Sequence, residues 1–158
     1  MDKKACYEQL MPQVEAVIKS DQPLLGILAN TCAALHEKMS WLWTGFYLVS
    51  DDRLVLGPFQ GSPACFAINY GRGVCGTAWK TKESQVVPDV ERFEGHIACS
   101  SLSRSEIVCP IFGRNGDDVV GVLDIDSEKL GMFDETDRIY LERVCAMLSE
   151  VWKNDLIH

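Results

Sequence analysis

Apolar residues return every three to four positions at Tyr7, Leu10, Met11, Val14, Val17 and Ile18, the period of an amphipathic helix. A second helix follows, with Leu24, Leu28, Cys32, Leu35 and Met39 on one face, Asp21 as its expected N-cap and Pro23 in its first turn. Over residues 41–49 the composition turns to aromatic and β-branched side chains, which predicts a strand. Ser50-Asp51-Asp52-Arg53 then reads as a hairpin loop into a strand over 54–59. Gly61, Pro63, Asn69 and Gly71 mark a loop too long to be a tight connection, and such loops in compact domains often carry function. A short helix over 73–81, a brief strand over 85–87 and a second long loop over 88–105 follow. Apolar strands over 106–112 and 119–126 flank a connection containing Asn115-Gly116, a strong hairpin signal that makes them antiparallel neighbours. Asp134, with Asp137 three residues on, is placed to cap a last helix whose face carries Leu141, Val144, Cys145, Leu148 and Trp152. Helices at both ends with consecutive strands between them predict one α+β domain over residues 1–158, an antiparallel sheet with helices packed against it.

A chain of 158 residues that is 47% hydrophobic buries a sizeable core without disulfide staples. A formal net charge of -8 with no basic stripe disfavours a nucleic-acid partner, whose binding runs on clustered Lys and Arg. No run approaches 18 apolar residues, and the N-terminal stretch is amphipathic rather than leader-like, so the expectation is a cytoplasmic chain with no membrane partner. Seven cysteines, an odd number with no close spacing, argue for reduced thiols of which some oxidise transiently.

Three of those thiols, Cys65, Cys75 and Cys99, fall in the turn-rich centre of the chain, followed by the acids Glu106, Asp124 and Asp126. Soft nucleophiles beside carboxyls suggest reductive redox chemistry on a polar substrate. Asp124 and Asp126 are two apart in a strand, so both aim at one face while Leu123 and Ile125 take the other. If that face is dry, burial and mutual repulsion raise at least one pKa and keep a proton available near neutral pH; a solvated strand end is the plain alternative. A two- or four-residue connection pairs Glu106 with Ile125, whereas a five-residue connection or a bulge sets it opposite an aspartate. Cys75, at the start of a helix, should feel the positive end of the dipole and be the most activated thiol; a small buried residue is the competing reading. Cys65 and Cys99 lie in loops, where a thiol can approach some partner as a disulfide requires; accidental surface thiols are the competing reading. Cys6, Cys32, Cys109 and Cys145 read as packing or neutral positions. No C-x-x-C knuckle is present and the Cys and His spacings are long, so no metal is expected. Gly71-Arg72-Gly73 lacks the ending of a phosphate loop, and His96, though near Cys99, is read as solvated. Trp43 and Tyr47, with Trp41, Gly45 and Val49, share a strand face that by default packs the core; beside carboxylates it would form an aromatic wall suited to a small zwitterion.

The motifs Phe59-Gln60-Gly61, Gly73-Val74-Cys75-Gly76-Thr77-Ala78, Val87-Pro88-Asp89-Val90, Gly95-His96-Ile97-Ala98-Cys99, Ser105-Glu106-Ile107-Val108 and Gly121-Val122-Leu123-Asp124-Ile125-Asp126-Ser127 resemble, in the same order, those of the free methionine-(R)-sulfoxide reductases, stand-alone GAF-domain enzymes. The resemblance implies a six-stranded antiparallel GAF sheet, reduction of free L-methionine-(R)-sulfoxide to methionine, no bound cofactor, and thioredoxin as the reductant. By position, Cys99 resembles the nucleophile, Cys65 the resolving thiol and Cys75 the third family cysteine, able to join in recycling. Glu106, Asp124 and Asp126 resemble the acids that polarise or protonate the sulfoxide oxygen, and Trp43 the pocket tryptophan. Two positions depart from the pattern: Ser100 follows Cys99 where the family usually has an acid, and Cys109 stands where an apolar residue is commoner. The rival expectations are a GAF module sensing a cyclic nucleotide or other small ligand, and a thiol redox switch without a dedicated substrate. Oligomeric state is left open, a homodimer included.

Overall fold

A computed structural model describes residues 2–97 and 99–156, so Ala98 of the motif around Cys99 lies outside the described residues. The elements in chain order are α1 (Lys3–Ile18), α2 (Leu24–Met39), β1 (Trp43–Ser50), β2 (Arg53–Gln60), β3 (Ala67–Asn69), α3 (Gly73–Thr81), β4 (Gln85–Val87), a 3-10 turn (Val90–Arg92), β5 (Ser105–Phe112), β6 (Val119–Ser127) and α4 (Glu135–Val151). Six strands form one antiparallel sheet, as the resemblance implied, in the order β3-β2-β1-β6-β5-β4.

Strand alternation splits the apolar residues between two sides. Phe46, Ile107, Ile111, Leu123 and Ile125 point to the layer formed by α1, α2 and α4, where they meet Tyr7, Leu10, Leu28, Leu35, Leu141 and Leu148. Trp43, Tyr47, Leu54, Val108 and Val122 point the other way, under α3 and the two long loops. The helical layer is pinned electrostatically as well as by packing. Asp134 caps α4 by accepting from Thr136 and Asp137 N–H groups, and Asp137 reciprocates to the Asp134 N–H. The fully buried Asp137 also accepts from Lys3 Nζ at 2.6 Å and Tyr7 Oη at 2.7 Å, tying α1 to α4. Tyr7 stacks on Tyr140 with ring centroids 4.8 Å apart. Among the described residues no helix is long and apolar enough to cross a membrane.

Three expectations are corrected. Asp21 is not an N-cap: its φ of 58° places it in a left-handed turn, and α2 starts after Pro23, which stands at the N-cap and offers no side-chain acceptor. Trp41 precedes β1 and packs on the helical side, its ring 5.9 Å from that of Phe133, so it is not part of the wall with Trp43. The first long loop contains β3, whose buried Ile68 lies opposite Leu54 of β2. Cys32, Cys109 and Cys145 are buried and Cys6 is half-buried.

Candidate active site

The side of the sheet away from α1, α2 and α4 is organised by register. Across β5, β6 and β1, Glu106 lies opposite Asp126, which lies opposite Trp43; one row along, Asp124 lies between Val108 and Gly45. The six residues between Phe112 and Val119 would by plain counting put Glu106 beside Ile125. A bulge between Ile111 and Phe112 shifts the pairing by one and brings Glu106 onto the aspartate face. Glu106 is 6% and Asp124 5% exposed, so the dry alternative holds.

The three carboxyls therefore share a site with little water. Burial pushes Glu106 well up, and Asp124 and then Asp126 add repulsion. Asp126 is likewise pushed well up by burial and by Asp124, opposed by the hydroxyl of Ser103, which donates to Oδ1 at 3.1 Å. Asp124 is also raised by burial, but hydrogen bonds from Glu106 and Cys75 and the charge of His96 pull it back. Burial raises all three and mutual repulsion adds to it at Glu106 and Asp126, so the cluster as a whole holds protons that an exposed set of carboxyls would lose. Asp124 Oδ1 has no hydrogen-bond partner.

Cys75 sits in the first turn of α3, but the helix dipole does not decide its state. Burial pushes the thiol well up, and Asp124, Glu106 and Asp126 push it further, so Cys75 stays a protonated thiol beside the acids rather than the most activated thiolate. Desolvation and three acids outweigh one helix end.

Two loops close over this floor. The loop between β2 and α3 brings Cys65 and the loop between β4 and β5 brings Cys99, and the two form a disulfide with Cα atoms 5.5 Å apart. Each loop is anchored to the sheet. Tyr47 donates its hydroxyl to the Cys65 carbonyl at 2.9 Å, and Leu56 N–H donates to the Phe66 carbonyl at 2.9 Å. Arg104 N–H donates to the Ser127 carbonyl at 2.7 Å, and Val90 N–H to the Arg104 carbonyl at 3.0 Å. Trp43 donates its indole N–H to the Ser62 carbonyl at 3.1 Å and stacks on Phe59 at 5.2 Å and Tyr47 at 6.0 Å. Gly45 makes this stack possible, because a Cβ there would lie 2.6 Å from the Trp43 ring.

Between floor and loops lies a narrow pocket, partly open to solvent, lined by Trp43, Tyr47, Cys75, Cys99, Glu106, Asp124 and Asp126 among others. The structure thus brings together seven of the eight residues expected from sequence, with Cys65 joined through its disulfide. His96, read as solvated, is corrected: it is half-buried and lines the pocket, and burial lowers its pKa while Asp124 opposes that shift. Ser103 and Gly45 were missed; Ser103 gives no signal beyond its nearness to Glu106, and Gly45 only its place in an aromatic strand. The departing Ser100 also lines the pocket, whereas Cys109 faces the helical layer, where its carbonyl accepts from the Cys145 thiol at 3.8 Å.

A GAF-domain family model matches residues 21–152. The free methionine-R-sulfoxide reductase of Escherichia coli K12 is 45% identical over 152 residues, covering 96% of this chain and 91% of that protein. Its namesake from Saccharomyces cerevisiae is 37% identical over 158 residues, covering 95% and 87%. The structure of the free methionine-R-sulfoxide reductase of Neisseria meningitidis in complex with its substrate superimposes with a TM-score of 0.91 at 51% identity, over 95% of this chain and 90% of that one. With the fold, the register of the acids and these likenesses in agreement, the chain belongs to the GAF-domain family and, within it, to the free methionine-(R)-sulfoxide reductases.

Proposed function

We propose that the protein reduces free L-methionine-(R)-sulfoxide to L-methionine by a cysteine relay. The observation that carries this reading is the Cys65–Cys99 disulfide at the mouth of a pocket whose floor is the Glu106, Asp124 and Asp126 carboxyls. In the reduced protein Cys99 attacks the sulfoxide sulfur while Glu106, held protonated by burial, donates to the sulfoxide oxygen. Asp126 supports the same oxygen, and Asp124 faces the positive charge of the substrate. The oxygen passes to the Cys99 sulfur as the substrate's sulfur–oxygen bond and the transient sulfur–sulfur bond break, methionine leaves, and Cys99 is left as a sulfenic acid. Cys65 attacks that sulfur, water departs, and the disulfide forms. Thioredoxin, as an external dithiol, attacks the disulfide, restores both thiols and leaves oxidised itself. Trp43 forms the wall against the substrate's side chain, while Tyr47 positions Cys65 through its carbonyl. Cys75 acts here through Asp124, with a part in recycling kept as a further role.

Incubation with separated R and S epimers of free methionine sulfoxide, a thioredoxin system, and peptide-bound sulfoxide as control tests the reading. Methionine should form over many turnovers from the free R epimer alone. Oxidation of the thiols without methionine release would instead favour the redox switch, and binding without either reaction a sensing module.

A further inference from the structure

The pocket floor joins groups that the proposed relay uses only in part. Cys75 Sγ and one carboxylate oxygen each from Glu106 and Asp124 lie within 4.8 Å of one another, and all three residues are buried. They come from α3, β5 and β6, so sheet register and helix placement assemble the set rather than any short ligand spacing. Asp124 is 5% exposed, yet its Oδ1 has no hydrogen-bond partner, an orphan acceptor on a pocket wall. Neither Lys nor Arg lines the pocket, and His96 is the one basic side chain there among the described residues. A buried carboxyl cluster without a fixed cation favours a positively charged occupant.

We propose that this floor is a binding site for a borderline-soft divalent cation of the zinc type, held by Cys75 Sγ, Glu106 and Asp124, and that the ion excludes the substrate. Zinc takes thiolate and carboxylate ligands in a tetrahedron whose donors stand about 3.3–3.6 Å apart, so binding releases the protons held by Cys75 and Glu106 to solvent and the three groups need to close by up to about 1.5 Å. The sulfur selects against magnesium and calcium, which prefer all-oxygen sets. Three protein donors leave one position for water. Bound there, the ion occupies the acids that the relay needs, which makes zinc a competitive inhibitor; this consequence, unlike the binding itself, rests on the proposed reductase activity.

Cobalt(II) reports on such a site through thiolate-to-metal charge transfer in the near ultraviolet. In the oxidised protein Cys65 and Cys99 are tied in their disulfide, so Cys75 alone supplies pocket sulfur. Titrating that protein with cobalt chloride should give a band that saturates near one equivalent, is displaced by zinc chloride and is untouched by excess magnesium. The band should vanish in Cys75→Ser, and the dissociation constant should rise at least about tenfold in Glu106→Gln. No band in the wild-type protein, or a band of wild-type strength in Cys75→Ser, overturns the proposal. Should Cys75→Ser fail to fold, Asp124→Asn carries the test, with weakened binding expected and wild-type affinity decisive against it. Binding is read without turnover, so a protein that takes up cobalt but never reduces free methionine sulfoxide sinks the proposed function and leaves the cation site standing.

Discussion

Glu106→Gln separates the chemistry of the buried acid from its shape. Glutamine keeps the volume and can still donate to Asp124, but it has no carboxyl proton to give to a sulfoxide oxygen. Loss of a positioned general acid costs about 100- to 10,000-fold, so kcat should fall by that factor with KM for the sulfoxide changed far less. The same substitution should stabilise the fold, and the sign follows from the raised pKa. Glu106 holds its proton in the folded state at pH values where the unfolded chain has lost it. Its contribution is therefore fully present below the unfolded pKa of about 4.3 and is lost as pH rises through the folded value. While only the folded form is protonated, the wild type loses about 1.4 kcal/mol per pH unit through this group, a loss the glutamine variant does not share. Steady-state assays of methionine release, paired with denaturant unfolding from pH 4 to pH 9, read both effects. A kcat within threefold of wild type, or a stability difference that stays flat across that pH range, would refute the assignment of Glu106 as a protonated buried acid.

Tyr47→Phe removes the hydroxyl held by the Cys65 carbonyl at 2.9 Å. At about 0.5–1.5 kcal/mol, disulfide closure should slow roughly 2- to 12-fold, seen as longer-lived Cys99 sulfenic acid in trapping experiments. Gly45→Ala drives a methyl into the Trp43 ring and should raise KM for the sulfoxide while destabilising the fold by about 1–3 kcal/mol, measured by kinetics and thermal melts. Asp137→Ala, far from the pocket, strands Lys3 and Tyr7 and removes half of the α4 capping box. It should cost about 2–4 kcal/mol, lowering Tm by roughly 4–16 °C with kcat unchanged at permissive temperature.

Features written locally were legible in the chain. The alternation of Leu123, Asp124, Ile125 and Asp126 assigns the faces of β6 without knowledge of its neighbours, and Asp134 with Asp137 announces the α4 cap. Features that depend on distant partners were not. The charge state of Cys75 is set by acids on β5 and β6, so a helix-dipole argument confined to its own element gave the wrong sign. Whether Glu106 reached the aspartate face hung on one bulge at Ile111/Phe112, which the loop length alone left open. Trp41 lies just outside β1, where strand periodicity no longer governs its direction, and β3 is only three residues long, too short to show alternation. His96 and Ser103 reach the pocket along an irregular loop, for which no sequence period exists.

In the proposed relay one pocket turns a sulfoxide into a disulfide between two loops. Fully reduced protein treated with one equivalent of free methionine sulfoxide and digested under alkylating conditions tests it directly by mass spectrometry. One equivalent of methionine and a Cys65–Cys99 crosslink should appear, with Cys75 recovered as a free thiol. Methionine release without that crosslink, together with full turnover by Cys99→Ser, would contradict it.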